Sequence, residues 1–124
     1  MIAGQVNDEG VPVVLLPVAG QAWLSTIDTG FNGDLELPER LRSSVNPRYL
    51  CRNRSLLAGG QTIEEEIYLV EFPFDGQTVV AEASFVDGSD ILLGTRLLQS
   101  YRLEINFVMQ TVLLERAVGL ESPR

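Results

Sequence analysis

The stretch "STIDTGFNGDLELP", residues 25–38, decides how the rest of the chain is interpreted. A strand-like apolar run leads into one aspartate, Asp28, which is followed by Thr29, Gly30 and further turn-forming residues. Such a segment can be an ordinary turn in which the aspartate caps the loop, or a turn that holds a carboxylate for chemistry. The remaining sequence has to distinguish these two interpretations.

Composition limits the class of protein. With 124 residues, of which 45% are hydrophobic, the chain is predicted to form one folded domain with a single core. Its net charge of −8 argues against binding to nucleic acid or to an anionic membrane surface. The charge favours a neutral or basic partner.

The residue types that are missing restrict the chemistry further. The sequence has no histidine, which excludes a Ser–His–Asp triad, a Cys–His pair and histidine-bearing zinc sites. Its one cysteine, Cys51, cannot form an internal disulfide or a cysteine metal cluster, and is predicted to be a plain thiol in a reducing cytoplasm. We therefore expect no metal and no cofactor, and carboxylates remain as the candidate catalytic groups.

The N-terminal sequence "MIAGQVNDEG" lacks the basic and apolar regions of a signal peptide. The longest apolar run, residues 11–19, contains two prolines and is far shorter than the ~20 residues of a membrane helix. A soluble, cytoplasmic protein is expected.

Short aliphatic and β-branched runs alternate with turn signals such as "DEG", "AGGQ" and "FDGQ". Turn signals spaced by roughly 8–15 residues are typical of antiparallel β-structure. Ten strands are predicted, at residues 2–6, 11–18, 22–27, 35–37, 49–57, 62–72, 78–86, 91–93, 103–107 and 111–115.

Two short segments favour helix instead. "PERLRSSV" begins with Pro38, which suits the first turn of a helix, and residues 95–101 begin with Thr95, a suitable N-cap. Residues 1–118 are predicted to be one domain, and residues 119–124 a frayed tail. A hairpin followed by an apolar strand occurs twice, ending at Gly30 and again at Gly94, which suggests a duplicated half-domain.

"IDTG" at 27–30, "ILLG" at 91–94 and the following "TRLL" resemble the retropepsin-like (clan AA) aspartic proteases, and most of all their bacterial members. The resemblance extends from residue 2 to residue 115. It implies an all-β fold, a pepsin/retropepsin-like closed barrel half-domain with one or two short helices.

The resemblance also implies an activity. Two carboxylates held within hydrogen-bond distance share one proton and so supply an acid and a base at one site. Since the chain has a single D-T-G, the resemblance implies a homodimer in which two Asp28 carboxylates meet on a two-fold axis. The expected function is a homodimeric aspartic endopeptidase acting on a peptide or protein substrate, with no nucleic-acid or membrane partner.

The resemblance assigns roles to individual residues. The hydroxyl group of Thr29 is expected to reach across the two-fold axis, and Gly94 to let loop and strand backbones pack closely. Phe31 is expected to narrow a substrate pocket, and the segment 58–61 to be the tip of a hairpin flap. The implied sets are catalytic Asp28, Thr29 and Gly30, substrate-binding Phe31, Asn32, Ala58, Gly59, Gly60 and Gln61, and structural Gly94.

Each of these features also has a plain structural interpretation. Gly59–Gly60 suits an ordinary hairpin turn, residues 64–66 ("EEE") suit a solvated strand face, and Trp23 suits the core. Four aspartates are interpreted as turn formers: Asp34, Asp75, Asp87 and Asp90. The alternative function is a catalytically weak or inactive peptide-binding or dimerisation module of the same fold.

Overall fold

A computed structural model describes residues 1–117, so the predicted tail at 119–124 lies outside the described residues. The strands are β1 (Ile2–Val6), β2 (Pro12–Val18), β3 (Gln21–Ile27), β4 (Leu35–Pro38), β5 (Arg48–Leu56), β6 (Thr62–Phe74), β7 (Gln77–Val86), β8 (Ile91–Leu93), β9 (Tyr101–Asn106) and β10 (Thr111–Arg116). All ten predicted strands are present, and each end lies within two residues of its predicted position.

The strands form one sheet with the order β5-β6-β7-β4-β8-β3-β2-β1-β10-β9. The all-β prediction is confirmed, but the expected closed barrel is wrong, because β5 and β9 are the two edges of an open sheet.

Two neighbouring pairs in the sheet are parallel, which the prediction of antiparallel pairing missed. β3 pairs parallel with β8, and β4 pairs parallel with β7. Each pair joins strands far apart in sequence, whereas turn signals report only on strands that follow one another. Because β8 lies between β3 and β4, the segment after β3 and the segment after β8 come together.

One hydrophobic core is built from the alternate residues of the long strands. On β6 the residues Val70, Phe72 and Phe74 are buried, as strand periodicity requires. Trp23 is 8% exposed, which confirms its interpretation as a core residue. The largest fully buried side chains include Leu35 and Leu37 of β4, the strand that follows the Asp28 segment.

Helix is almost absent from the described residues. A single 3₁₀ helix, Glu39–Ser44, follows Pro38 and buries Leu41. The predicted helix at 95–101 is wrong: the backbone N–H groups of Leu98 and Tyr101 donate to the carbonyl oxygens three residues earlier, at 3.1 and 2.9 Å, which makes consecutive turns. So short a segment has little helical stability of its own, and its tertiary contacts determine its conformation. No helix in residues 1–117 is long and apolar enough to cross a membrane.

Candidate active site

Asp28 is the first residue after β3, and the neighbouring strand β8 holds it. Its backbone N–H donates to the carbonyl oxygen of Leu93 at 3.0 Å, which extends the parallel β3–β8 pairing by one residue. Its Oδ1 accepts the N–H of Gly30 at 2.9 Å, and its carbonyl oxygen accepts the N–H of Phe31 at 3.1 Å. The carboxylate is partly exposed, and within residues 1–117 its Oδ2 has no hydrogen-bond donor.

The Gly30–Asp28 bond alone would fit an ordinary aspartate turn. What distinguishes this turn is the contact between the 31–34 loop and the segment after β8. Gly94 donates its N–H to the carbonyl oxygen of Asp34 at 2.9 Å, Thr95 to that of Phe31 at 2.8 Å, and Arg96 to that of Gly33 at 3.2 Å. These three bonds fasten the Asp28 turn to the end of β8.

This contact leaves no room for a side chain at Gly94. A Cβ atom there would overlap the carbonyl oxygen of Gly33 and would lie 2.8 Å from the Phe31 ring. Backbone atoms cannot move aside as the end of a flexible side chain can, so the position requires glycine for space rather than for an unusual φ angle. The structure thus places Gly94 directly behind the Asp28 turn.

An ionic cluster that the sequence did not predict supports the same loop. Asp34, interpreted from sequence only as a turn former, is 8% exposed and accepts two bonds from the Arg96 guanidinium at 3.2 and 2.9 Å. It also accepts the backbone N–H of Glu82 at 2.9 Å, while the Glu82 carboxylate lies 2.9 Å from Arg96. The cluster therefore joins the loop, the segment after β8 and strand β7. The sequence signal that could have revealed it is the arginine two residues after Gly94.

Glu36 is a second carboxylate that sequence reasoning missed. It lies on β4, opposite Leu92 on one side and Ser84 on the other. Burial, together with the nearby charges of Glu65 and Asp28, raises the pKa of Glu36 above its usual range. The Asp28 carboxylate therefore has an acidic neighbour within the same chain.

The segment Ala58–Gln61 lies at the turn of the β5–β6 hairpin. The N–H of Leu57 donates to the carbonyl oxygen of Gln61 at 2.7 Å, and Gly59 and Gly60 have φ angles of 99° and 84°, which favour glycine. A Cβ atom on either glycine would have no neighbouring atom within 4 Å, so the hairpin tip extends into open space.

A cavity of about 460 Å³ lies between the inner face of this hairpin and the 31–35 loop. Phe31 and Asn32 line it, whereas Asp28 and residues 58–61 do not. The other lining residues are Gly33, Asp34, Leu35, Cys51, Asn53, Ser55, Glu65, Ile67, Glu82, Ala83, Ser84 and Arg96.

The hairpin has two chemically different faces. Glu64 and Glu66 lie opposite Arg54 and Arg52 and form exposed ion pairs with them, as a solvated strand face would. Glu65 is half-buried and lines the cavity on the other face of the hairpin, which the prediction of one solvated face did not distinguish. Strand alternation separates adjacent glutamates in this way.

Thr29 is exposed at the turn, and its hydroxyl group has no hydrogen-bond partner in residues 1–117. Within the same residues no group of three or more potential metal ligands comes together. One chain thus brings together the predicted residues from Asp28 to Asn32 and Gly94, but places the hairpin tip apart from them.

The fold is shared with solved structures, whereas the sequence alone finds no relative. No family model matches the sequence, and no curated protein matches it. The structure is similar to a retropepsin-like aspartic protease from Rickettsia conorii, with a TM-score of 0.65, 17% identity, and coverage of 90% of this chain and 87% of that one. It is also similar to EIAV protease in complex with the inhibitor HBY-793, with a TM-score of 0.53, 19% identity, and coverage of 75% and 89%. The chain has a retropepsin-like fold.

Proposed function

We propose that this chain, which has a retropepsin-like fold, is a homodimeric aspartic endopeptidase. The observation that carries the proposal is the position of Asp28: β8 fixes its backbone, while its carboxylate stays partly exposed with Oδ2 free of donors in the described chain. Of the two similar structures named above, one is by name a retropepsin-like aspartic protease and the other a protease with a bound inhibitor, which supports a proteolytic function.

A single carboxylate at neutral pH is a weak base and cannot also act as the acid. Two carboxylates at hydrogen-bond distance cannot both ionise readily, so the pair retains one proton and supplies both functions. The sequence contains one D-T-G, at residues 28–30, so the second carboxylate comes from a second copy on a two-fold axis. Thr29 is exposed beside Asp28, and in such a dimer its hydroxyl group is proposed to bond to the partner's loop.

The proposed reaction needs one water molecule and the two Asp28 side chains. The ionised carboxylate takes a proton from the water as the water oxygen attacks the carbonyl carbon of the peptide, and the protonated carboxyl donates its proton to the carbonyl oxygen. A proton then passes to the amide nitrogen, the C–N bond breaks, and the pair again holds one proton. The chemistry requires neither a covalent intermediate nor a cofactor or metal.

The substrate is proposed to be an extended peptide lying between the Asp28 loop and the β5–β6 hairpin. Such a peptide binds by adding strand-like hydrogen bonds, and the hairpin tip at residues 58–61 closes over it as a flap. Phe31 and Asn32 line the cavity on that side of the loop and would contact substrate side chains. The net charge of −8 supports a peptide rather than nucleic acid or an anionic membrane as partner, and we propose a cytoplasmic location.

The test is cleavage of a mixed peptide library from about pH 4 to pH 7, where a shared-proton pair is expected to give a bell-shaped profile. Asp28→Asn should abolish cleavage and leave thermal unfolding unchanged, since the amide has nearly the same shape but cannot act as the base. Asp87→Asn, at an exposed aspartate in a turn, is the matched control and should cleave like the wild type.

Cleavage by Asp28→Asn at the wild-type rate would place the active site elsewhere. If the wild type binds the peptides in the library without cleaving any of them, the chain is instead a peptide-binding module of the same fold.

A further inference from the structure

Glu65 brings an unbalanced negative charge to the cavity beside the 31–35 loop. Asn53, an uncharged residue, lies directly opposite it in the β5–β6 hairpin. The two neighbouring glutamates lie on the outer face of the hairpin, where each pairs with an arginine: Glu64 with Arg54 at 3.5 Å and Glu66 with Arg52 at 2.8 Å. Glu65 forms no ion pair within residues 1–117. The hairpin thus neutralises its outer glutamates and leaves the inner one without a cation.

The other charged groups of the cavity do not supply a cation for Glu65. Arg96 is the one basic residue among the lining residues, and its guanidinium lies 2.9 Å from both the Asp34 and the Glu82 carboxylates. The lining therefore has three carboxylates against one guanidinium, a formal charge of −2. A cavity of this charge favours a cationic ligand.

A buried hydroxyl group gives a second and independent sign of a ligand. Ser84 of β7 lines the same cavity and is 7% exposed. Its hydroxyl group has no hydrogen-bond partner in the described part of the chain, where Trp23 Nε1 is the one fully enclosed side-chain atom without a partner. The Ser84 oxygen therefore reaches the open volume of the cavity. A polar group buried without a partner costs free energy until a ligand or solvent supplies the missing bond.

The arrangement of these acceptors indicates what kind of cation fits. No group of three or more potential metal ligands comes together in residues 1–117, so the lining does not suit a metal ion. The acceptors are the Glu65 carboxylate, the Ser84 hydroxyl and the Asn53 amide oxygen, and they come from three different strands. A guanidinium group has several N–H donors spread over a rigid plane and can reach acceptors on separate strands, whereas an ammonium group concentrates its donors at one point.

We propose that this cavity binds an arginine side chain of the peptide substrate, with Glu65 as its counter-ion and Ser84 as a further acceptor. The inference rests on the peptidase proposed above and names its substrate class, peptides with an arginine near the cleaved bond. The cavity includes Phe31, three residues after Asp28, but not Asp28 itself, so the arginine lies near the bond and not at it. A two-fold axis between two Asp28 residues places one such cavity on each side of the bond, so arginine is accepted on either side.

The acidic surface continues from the cavity toward the catalytic carboxylate. Burial, together with the charges of Glu65 and Asp28, raises the pKa of Glu36, because nearby like charges disfavour ionisation. An arginine bound at Glu65 offsets part of this repulsion. The positive side chain is therefore favoured by the whole surface as well as by its direct contacts.

Two peptide libraries test the site, identical except that one fixed position holds arginine in the first and citrulline, an uncharged group of the same shape, in the second. At about pH 6 an ordinary glutamate is ionised, and initial rates at low peptide concentration report kcat/KM. The wild type should cleave the arginine library with a kcat/KM about tenfold or more above that of the citrulline library, as expected for hydrogen bonds to a charged group.

Glu65→Gln should lose most of this preference, and Ser84→Ala should lose a smaller part of it. The matched control is Glu64→Gln, one residue away on the outer face, which should keep the wild-type preference. For a single cleaved arginine peptide, Glu65→Gln should raise KM and change kcat little, because the contact lies away from the reacting bond. A general disturbance of the fold would instead slow the cleavage of both libraries equally.

The outcomes separate this inference from the proposed function. If the wild type cleaves both libraries equally, or if Glu64→Gln loses the preference as Glu65→Gln does, the arginine site is overturned while the peptidase proposal stands. If the wild type cleaves neither library, fluorescence polarisation measures the binding of both. Tighter binding of the arginine library that is lost in Glu65→Gln then supports the site although the peptidase proposal fails, and equal binding or no binding overturns the site.

Discussion

Replacing Gly94 with alanine tests whether the tight contact between β8 and the 31–34 loop holds the Asp28 turn in place. The new methyl group would overlap the carbonyl oxygen of Gly33 and approach the Phe31 ring. The loop can relieve the overlap only by moving away from β8. The same movement lengthens the three backbone hydrogen bonds that cross this contact.

The magnitude follows from these two effects. Overpacking a rigid contact costs about 1–3 kcal/mol, and each weakened backbone hydrogen bond forfeits up to about 0.5–1.5 kcal/mol. The two energies do not simply add, because the loop movement that relieves the overlap is the same movement that weakens the hydrogen bonds. We therefore expect the free energy of unfolding to fall by about 2–4 kcal/mol. For a domain of this size the midpoint of thermal unfolding should fall by about 6–15 °C.

Urea and thermal unfolding followed by circular dichroism measure this loss. The matched control is Gly88→Ala, because a Cβ atom at Gly88 would have no neighbour within 4 Å. The control should stay within about 0.5 kcal/mol of the wild type. If Gly94→Ala unfolds like Gly88→Ala, the 31–34 loop accommodates a methyl group at residue 94, and the close contact does not hold the Asp28 turn in place.

Three further variants address the ionic cluster, the acidic neighbour and the dimer. Arg96→Met leaves the buried Asp34 carboxylate with one backbone donor and should lower the free energy of unfolding in urea by about 2–3 kcal/mol. Its control, Arg52→Met at an exposed ion pair, should lower it by under about 1 kcal/mol. Equal losses in the two variants would contradict a stabilising role of the buried pair. Burial raises the pKa of Glu36 above 4.5, so the folded state keeps a proton that the unfolded state releases, and the wild type loses stability as pH rises above about that value. The stability of Glu36→Gln relative to the wild type should therefore increase from acid to neutral pH, and a difference independent of pH would argue against it. Thr29→Ala should raise the dimer dissociation constant measured by sedimentation more than it lowers turnover per dimer, and the opposite order would count against the role of Thr29.

The sequence determined the strands and the candidate carboxylate. Period-two burial such as Val70, Phe72 and Phe74 and the turn glycines at 59 and 60 are local properties, set by side-chain alternation and allowed φ angles within a few residues. The chain has one D-T-G, and this motif singled out Asp28 as the candidate functional residue.

Only the tertiary structure decided how these elements meet. The parallel pairing of β3 with β8 and the bonds from Arg96 to Asp34 join residues more than sixty positions apart. Turn signals and periodicity carry no information at that separation. The same contacts made residues 95–100 a series of turns instead of a helix, because a short segment adopts the conformation that its neighbours stabilise. The edges of the sheet follow from strand order, which depends on how all ten strands share one core.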